Sequence, residues 1–301
     1  MRVFLLSLTL CAALFTCVMA DDTQVQGQPL TAILRTAINA TEAGDFSTSV
    51  SITTRVLDSG AVPESERHLF YYQRGYSYLM MEQYRLAVDD LSAAINGLRR
   101  SPYSSSEGLS YPYRYRGQAY AMLGKSDDAI ADFTFVLGVH PNDAVILYQR
   151  GLAHYSKRDT DKAIADFTAA INSKPDFAEA YANRGENFQN LKQFEKAIAD
   201  YDAAVRIRPD YEMAFNDRGS AEAALKKYGE ALADLNKAIE LNPSDPYAWD
   251  NRGWLSLDKR DFQSAIADFQ KGLSLTKDSA VTADIQEGLD KARSQLTPAS
   301  H

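Results

Sequence analysis

Six arginines, Arg74, Arg116, Arg150, Arg184, Arg218 and Arg252, each stand directly before a glycine. Each is followed 16 residues later by an aspartate: Asp90, Asp132, Asp166, Asp200, Asp234 and Asp268. The chemistry open to such a pair is structural. A planar guanidinium can donate two parallel hydrogen bonds to one carboxylate, and a charge at the seam of a helix is tolerable only when it is paired in this way. Spacing alone lets each aspartate meet the arginine of its own unit or that of the next. Pairing with the next unit would leave Arg74 facing Ile52 and Asp268 facing Glu287, whereas pairing within a unit orphans nothing. The preceding copy lacks both partners together, at Thr36 and Ile52, so pairing within each unit is predicted.

Catalytic chemistry has little to work with. The four histidines are His68, His140, His154 and His301, and His140 precedes Pro141 at a predicted helix end, where a cation favours the negative end of the dipole. There is no Gly-rich phosphate loop, no G-x-S-x-G turn and no His/carboxylate cluster at metal-ligand spacing. The carboxylates recur with the repeat and belong to the scaffold. No catalytic residue, metal site or cofactor is expected, and the chain does not read as an enzyme. Asn39-Ala40-Thr41 fits a glycosylation sequon but falls inside a predicted helix, and is read as a chance match.

The glycines after the arginines, Gly75, Gly117, Gly151, Gly185, Gly219 and Gly253, lie 42 and then four times 34 residues apart. Self-similarity at such a period predicts stacked helical units. Within residues 178 to 211, Tyr181, Gly185, Phe188 and Leu191 share one helical face. Phe194, Ala197, Ile198, Tyr201, Ala204 and Val205 share another, so each unit predicts two antiparallel helices. Pro175-Asp176 with Glu179 reads as a capped helix start, and Asp245-Pro246 as a clearer one. An alanine 12 residues after each glycine (Ala87, Ala129, Ala163, Ala197, Ala231, Ala265) predicts close helix approach, with Gly opposite Ala and Leu91, Phe133, Phe167, Tyr201, Leu235 and Phe269 filling the space beside them. The extra residues between the second and third units, within "RSPYSSSEGLSYP", predict an exposed loop at about 101–110 and a local break in the stacking.

Composition sets the remaining bounds. The 301 residues are 45% hydrophobic and carry a formal net charge of −8, which argues against nucleic acid or an anionic membrane surface as partner. The start, "MRVFLLSLTLCAALFTCVMADD", has one basic residue, an apolar run and small or β-branched residues before Asp21. It reads as a secretory signal, residues 1–20, cleaved after Ala20, and predicts a periplasmic or secreted protein. Both cysteines, Cys11 and Cys17, would leave with it, so a disulfide framework is not expected. No later segment is apolar enough to span a bilayer. Residues 21–67 read as a degenerate first copy and linker, 68–279 as six copies, and 280–301 as a closing helix and tail with Val281, Ile285, Leu289 and Leu296 on its apolar face.

The order Tyr181, Gly185, Phe188, Ala197, Tyr201, Ala204 and Pro209 resembles the tetratricopeptide repeat, and six copies carry most of it. Departures stand at His154, Glu222 and Ser256 in place of an aromatic, and at Arg99 and Lys277 in place of the terminal proline. The resemblance implies an all-α, right-handed solenoid of about seven antiparallel helix pairs plus a closing helix. It also implies a concave groove, lined by the first helix of each pair, that binds an extended peptide. In the N-terminal half the groove residues would be Tyr72, Tyr76, Tyr111, Arg114, Tyr115, Tyr148 and Tyr155. In the C-terminal half they would be Glu179, Asn183, Glu186, Asn190, Asn216, Asp217, Asp250, Asn251, Trp254 and Asp258. The alternative is that the tyrosines pack between helices and the acids form a solvated face. Family members that clamp acidic chaperone tails use basic residues at sites that here hold Tyr72, Tyr148, Ala182, Val145, Glu179, Met213 and Tyr247, with Arg114 the one base, so that role is not expected. The function implied is a non-enzymatic scaffold for a protein or extended peptide carrying basic groups, with no cofactor. The alternative is a structural subunit of a cell-envelope assembly or secretion complex.

Overall fold

The computed structural model describes residues 24–25 and 28–296; the expected secretory signal lies outside them. The chain divides into two compact units, one ending at Lys162 and the other starting at Ala163. The first unit opens on a minimal antiparallel pair, β1 (Gln24–Val25) and β2 (Gln28–Pro29). Then follow α1 (Leu30–Glu42), α2 (Phe46–Asp58), α3 (Arg67–Met80), α4 (Tyr84–Arg100), α5 (Ser106–Met122), α6 (Ser126–Val139), α7 (Ala144–Ser156) and α8 (Thr160–Ser173), which carries the division. The second unit continues with α9 (Ala178–Asn190), α10 (Phe194–Ile207), α11 (Glu212–Ala224), α12 (Tyr228–Leu241), α13 (Pro246–Asp258), α14 (Phe262–Leu275) and α15 (Ser279–Leu296). Seven successive helix pairs and a closing helix account for the fifteen helices among the described residues, as the repeat period predicts.

Helix starts follow cap chemistry in some pairs and hydrophobic burial in others. The Asp245 carboxylate accepts from the backbone N–H groups of Tyr247 and Ala248 with Pro246 in the first turn, as expected. The cap expected at Pro175-Asp176 does not form. α9 starts at Ala178, and buried Phe177 occupies the cap position without a side-chain cap bond. The turn between first and second helices ends in the left-handed region. Gly44 and Gly124 do this freely, but Glu82, Arg158, Lys192, Lys226 and Arg260 also hold φ between 58° and 62° there.

The insertion is not the loop expected at about 101–110. α4 and α5 each run to 17 residues, and Ser105 caps α5 by accepting from the Gly108 N–H, so only 101–105 stay outside helix. Leu109 and Ser110 are buried, and their burial extends the helix backwards.

At the glycines the helices approach closely and the expected large residues fill the space, but they, rather than the alanines, lie opposite the glycines. A Cβ on Gly75, Gly185, Gly219 or Gly253 would come within 2.7 to 2.9 Å of Leu91, Tyr201, Leu235 or Phe269 respectively, the residue 16 positions later. The large side chain of the second helix therefore fills the space above each glycine, while the alanine 12 positions on is buried beside it. Leu91, Phe133, Phe167, Tyr201, Leu235 and Phe269 are all completely buried. At two helix ends the apolar face stops short of the sequence pattern: Leu191 is 43% and Leu296 41% exposed, where each was expected to pack.

The expected pairing within repeats is observed. Arg74, Arg116, Arg184, Arg218 and Arg252 each donate through Nε and Nη2 to the two oxygens of the aspartate 16 residues on, at 2.5 to 2.9 Å. The third nitrogen, Nη1, reaches the second helix of the preceding pair: Thr54, Ser92, Thr168, Asp202 and Asn236 accept from these five in turn, and Thr134 accepts from Arg150. Each of these five arginines thus closes its own pair and ties it to the one before.

The first pair lacks this clasp and has a buried polar knot instead. Gln73 Nε2 lies 2.5 Å from Thr41 Oγ1 and 3.3 Å from Ser49 Oγ, and Ser77 Oγ lies 3.0 Å from Ser49 Oγ. Thr41 of the sequon is buried in this knot, so it serves packing. Gln73→Leu is expected to cost about 2 kcal/mol by stranding buried hydroxyls, and to speed amide hydrogen exchange in α1 and α2 by roughly 30-fold. Unchanged protection in α1 would refute the role given to the knot.

Candidate partner-binding face

In the second unit, α9, α11 and α13 are the first helices of their pairs. Hydrogen bonds step across them. Asn251 donates to Asn216 Oδ1 at 3.0 Å, Asn216 donates to Asp217 Oδ1 at 3.2 Å, and Gln189 donates to Ser220 at 3.4 Å. Asn183 instead turns back to the Glu179 carbonyl. The charges along this row are predominantly acidic. Burial, followed by repulsion from Glu186, pushes the Asp217 carboxyl up to about 7. Burial, followed by Asp284, pushes Asp250 up to about 6 despite a hydrogen bond from Trp254. Glu212, at the start of α11, rises to about 7 through burial and its contacts with Asp245. Asp250 Oδ1 is buried without a hydrogen-bond partner among the described residues. Asn190 and Asp258 are exposed at the C-terminal ends of their helices.

One base on this face was not anticipated. Arg208, at the end of α10, forms an ion pair with Glu179 and stacks on the Tyr211 ring at 4.0 Å. Glu179 therefore does not count with the unneutralised acids. Only the position of Arg208 beside Pro209, at the return to the next first helix, could have signalled this.

In the first unit the tyrosines divide. Tyr72, Tyr76 and Tyr115 are buried against one another, with ring centroids 6.2 Å (Tyr72–Tyr115) and 4.7 Å (Tyr76–Tyr115) apart, so these three are core and not groove. Tyr111, Tyr148 and Tyr155 are half-buried. Tyr111 borders a cleft of about 650 Å³ that also takes in Glu107, Arg114, His140, Asp143 and Val145. There Arg114 is ion-paired with Asp143, which also caps α7, and His140 lies 3.4 Å from both Glu107 and Ser110. Among the described residues no three His, Cys, Asp or Glu side chains converge to hold a metal ion, and no helix is long and apolar enough to cross a membrane.

Family models described as tetratricopeptide repeat match residues 114–176, 148–212 and 246–279, and one described as TPR repeat matches 219–255, together more than half of the chain. The chain belongs to the tetratricopeptide repeat family. Solved structures share the TPR fold over most of its length. A tetratricopeptide repeat protein from Parabacteroides merdae superposes with a TM-score of 0.62 at 17% identity, covering 87% of this chain and 98% of its own. The C-terminal part of a TPR repeat-containing protein from Cytophaga hutchinsonii gives 0.63 at 17% identity over 83% of this chain and 98% of its own. YrrB, a TPR protein with an unusual peptide-binding site, gives 0.52 at 18% identity over 67% of this chain and all of its own. No curated protein matches the sequence. TPR proteins mediate protein–protein interaction, and on the first-helix face of the second unit Asp250 Oδ1 is buried without a hydrogen-bond partner among the described residues.

Proposed function

We propose that this TPR protein is an exported, non-enzymatic scaffold that holds an extended basic segment of a partner protein along α9, α11 and α13. The observation that carries this reading is the row Glu186, Asp217 and Asp250, whose carboxyls are close enough to one another or to other acids, and buried enough, that Asp217 and Asp250 resist ionising. A lysine or arginine placed there offsets that penalty, and the Asn216–Asn251 amides offer hydrogen bonds to an extended backbone. YrrB shows that a peptide site can be built on this fold. Export rests on the leader before Asp21, and mass spectrometry of the native protein would show an N-terminus at Asp21 outside the cytoplasm.

Binding of a lysine-rich peptide is expected to weaken as salt rises and as pH falls below about 6, where Asp217 and Asp250 are protonated in the free protein. Calorimetry should show proton release on binding near pH 7. Combining Glu186→Gln, Asp217→Asn and Asp250→Asn should weaken it at least about tenfold. Equal affinity in the triple variant would remove the basis for this site.

A further inference from the structure

The arginine clasps hold a second, unrelated opening. In three of them the guanidinium lies between two rings: Arg74 between Tyr71 and Tyr78, Arg116 between Tyr113 and Tyr120, and Arg184 between Tyr181 and Phe188, all at 5.1 to 5.9 Å from the ring centroids. The second ring always comes from the residue four positions after the arginine. After Arg218 that residue is Glu222, which occupies the seat with its own buried carboxyl. After Arg252 it is Ser256, too small to reach across, while Trp249 covers the other side at 4.7 Å. A cavity of about 300 Å³ opens beside Ser256, with Leu232, Leu255 and Ala267 among its walls and Asn236 and Lys259 among its polar lining.

We propose that this cavity is a seat for one phenylalanine or tyrosine side chain of a protein partner, which completes the sandwich over Arg252. The chain itself shows the fit, because rings of these two types fill the equivalent seat in three other pairs. The volume is ample, since a cavity of about 150 Å³ already accepts benzene. The receiving group is held in place beforehand: Arg252 is fixed by Asp268 at 2.6 and 2.9 Å and by Asn236 at 2.7 Å, so little is lost in ordering it. It also retains open surface. The Arg252 side chain is 22% exposed, against 15 to 18% for the other four paired arginines described. At 100° per residue, Ser256 lies on the far side of α13 from Asp250, Asn251 and Trp254, so the seat is independent of the acidic face.

The test uses the full chain, isotope-labelled for amide NMR and titrated with N-acetyl-tyrosinamide, N-acetyl-phenylalaninamide and N-acetyl-leucinamide. Both aromatic amides should give saturable shifts confined to the surroundings of residues 252–264, with affinity on the order of millimolar and at least about fivefold tighter than the leucine amide. Ser256→Phe should abolish these shifts and raise Tm by about 2–4 °C, because the variant fills its own seat. Ser256→Leu, a smaller filler, should weaken binding without a new ring, and decides the matter if the phenylalanine variant does not fold. The absence of saturable shifts, shifts that persist unchanged in the filled variants, or equal binding of the leucine amide would each overturn the proposal.

Discussion

Arg184→Ala is expected to cost about 3 kcal/mol, Asp200→Ala about as much, and the double variant little more than either. The pair is bidentate, with Nε and Nη2 at 2.8 and 2.7 Å from the two carboxylate oxygens, and both side chains are largely out of water. Losing one partner leaves the other charge uncompensated at a helix seam, which costs far more than the roughly 0 to 1 kcal/mol of an exposed bridge. Arg184→Lys should rescue little, because an ammonium cannot make the fork or lie flat between Tyr181 and Phe188. A cycle of Arg184 with Thr168 should give a coupling of only about 1 kcal/mol, the worth of a single hydrogen bond to a hydroxyl. Denaturant unfolding of the four variants measures all of this. Coupling concentrated in Thr168, or absent at Asp200, would show that the fork does not hold the repeat.

The second unit is expected to lose stability as pH rises from 5 to 8, and Glu222→Gln should remove part of that slope. Glu222 stands where other pairs hold a ring, is buried, and has Oε2 without a partner among the described residues. Arg218 beside it already receives Asp234 and Asp202. Burial, then repulsion from Asp234, with smaller contributions from Glu230 and Asp202, outweighs the attraction of Arg218 and lifts the Glu222 carboxyl to about 7. A carboxyl that is harder to ionise in the folded state holds its proton there while the unfolded chain has released it. The stabilisation is therefore complete below the unfolded value near 4.5 and is lost as pH climbs through about 7. For Glu222 alone this amounts to roughly 2 kcal/mol between pH 5 and 8. Asp217, Glu212 and Asp250 shift in the same direction and leave a residual slope in the variant. Urea midpoints at pH 5, 6, 7 and 8 for the native chain and the variant test this, and parallel curves would exclude Glu222 as the source.

The helix pairs and the Arg–Asp forks were legible because both repeat, and a repeated signal averages away local noise. The choice between own and neighbouring repeat was decidable from the array's ends, where Arg74 and Asp268 would otherwise lack a partner. Single-copy features were not legible in the same way. Tyr72, Tyr76 and Tyr115 sit at spacings that suit either a groove or a core, and only the neighbouring helix decides between them. Arg208 directly follows a second helix, so a search confined to first helices passes over it. The polar run at 101–110 suggests a loop, yet Leu109 and Ser110 supply enough burial to draw its second half into α5. Leu191 keeps the helical period one residue past the end of α9, where no partner remains to cover it.

The left-handed turn ends carry a further consequence. In the second unit Lys192, Lys226 and Arg260 hold a backbone conformation in which glycine would be easier by about 1 kcal/mol each. All three cations close first helices, at the negative end of each dipole. The acids Glu186, Asp217 and Asp250 lie along the sides of the same helices. Within this unit these three bases and these three acids therefore stand at different places on the same helices, the bases just past the C-terminal ends and the acids within them. Such a body experiences a torque in an external field. A partner carrying charge of one sign would turn it during approach, so that orientation is selected during diffusion, before any side chain touches.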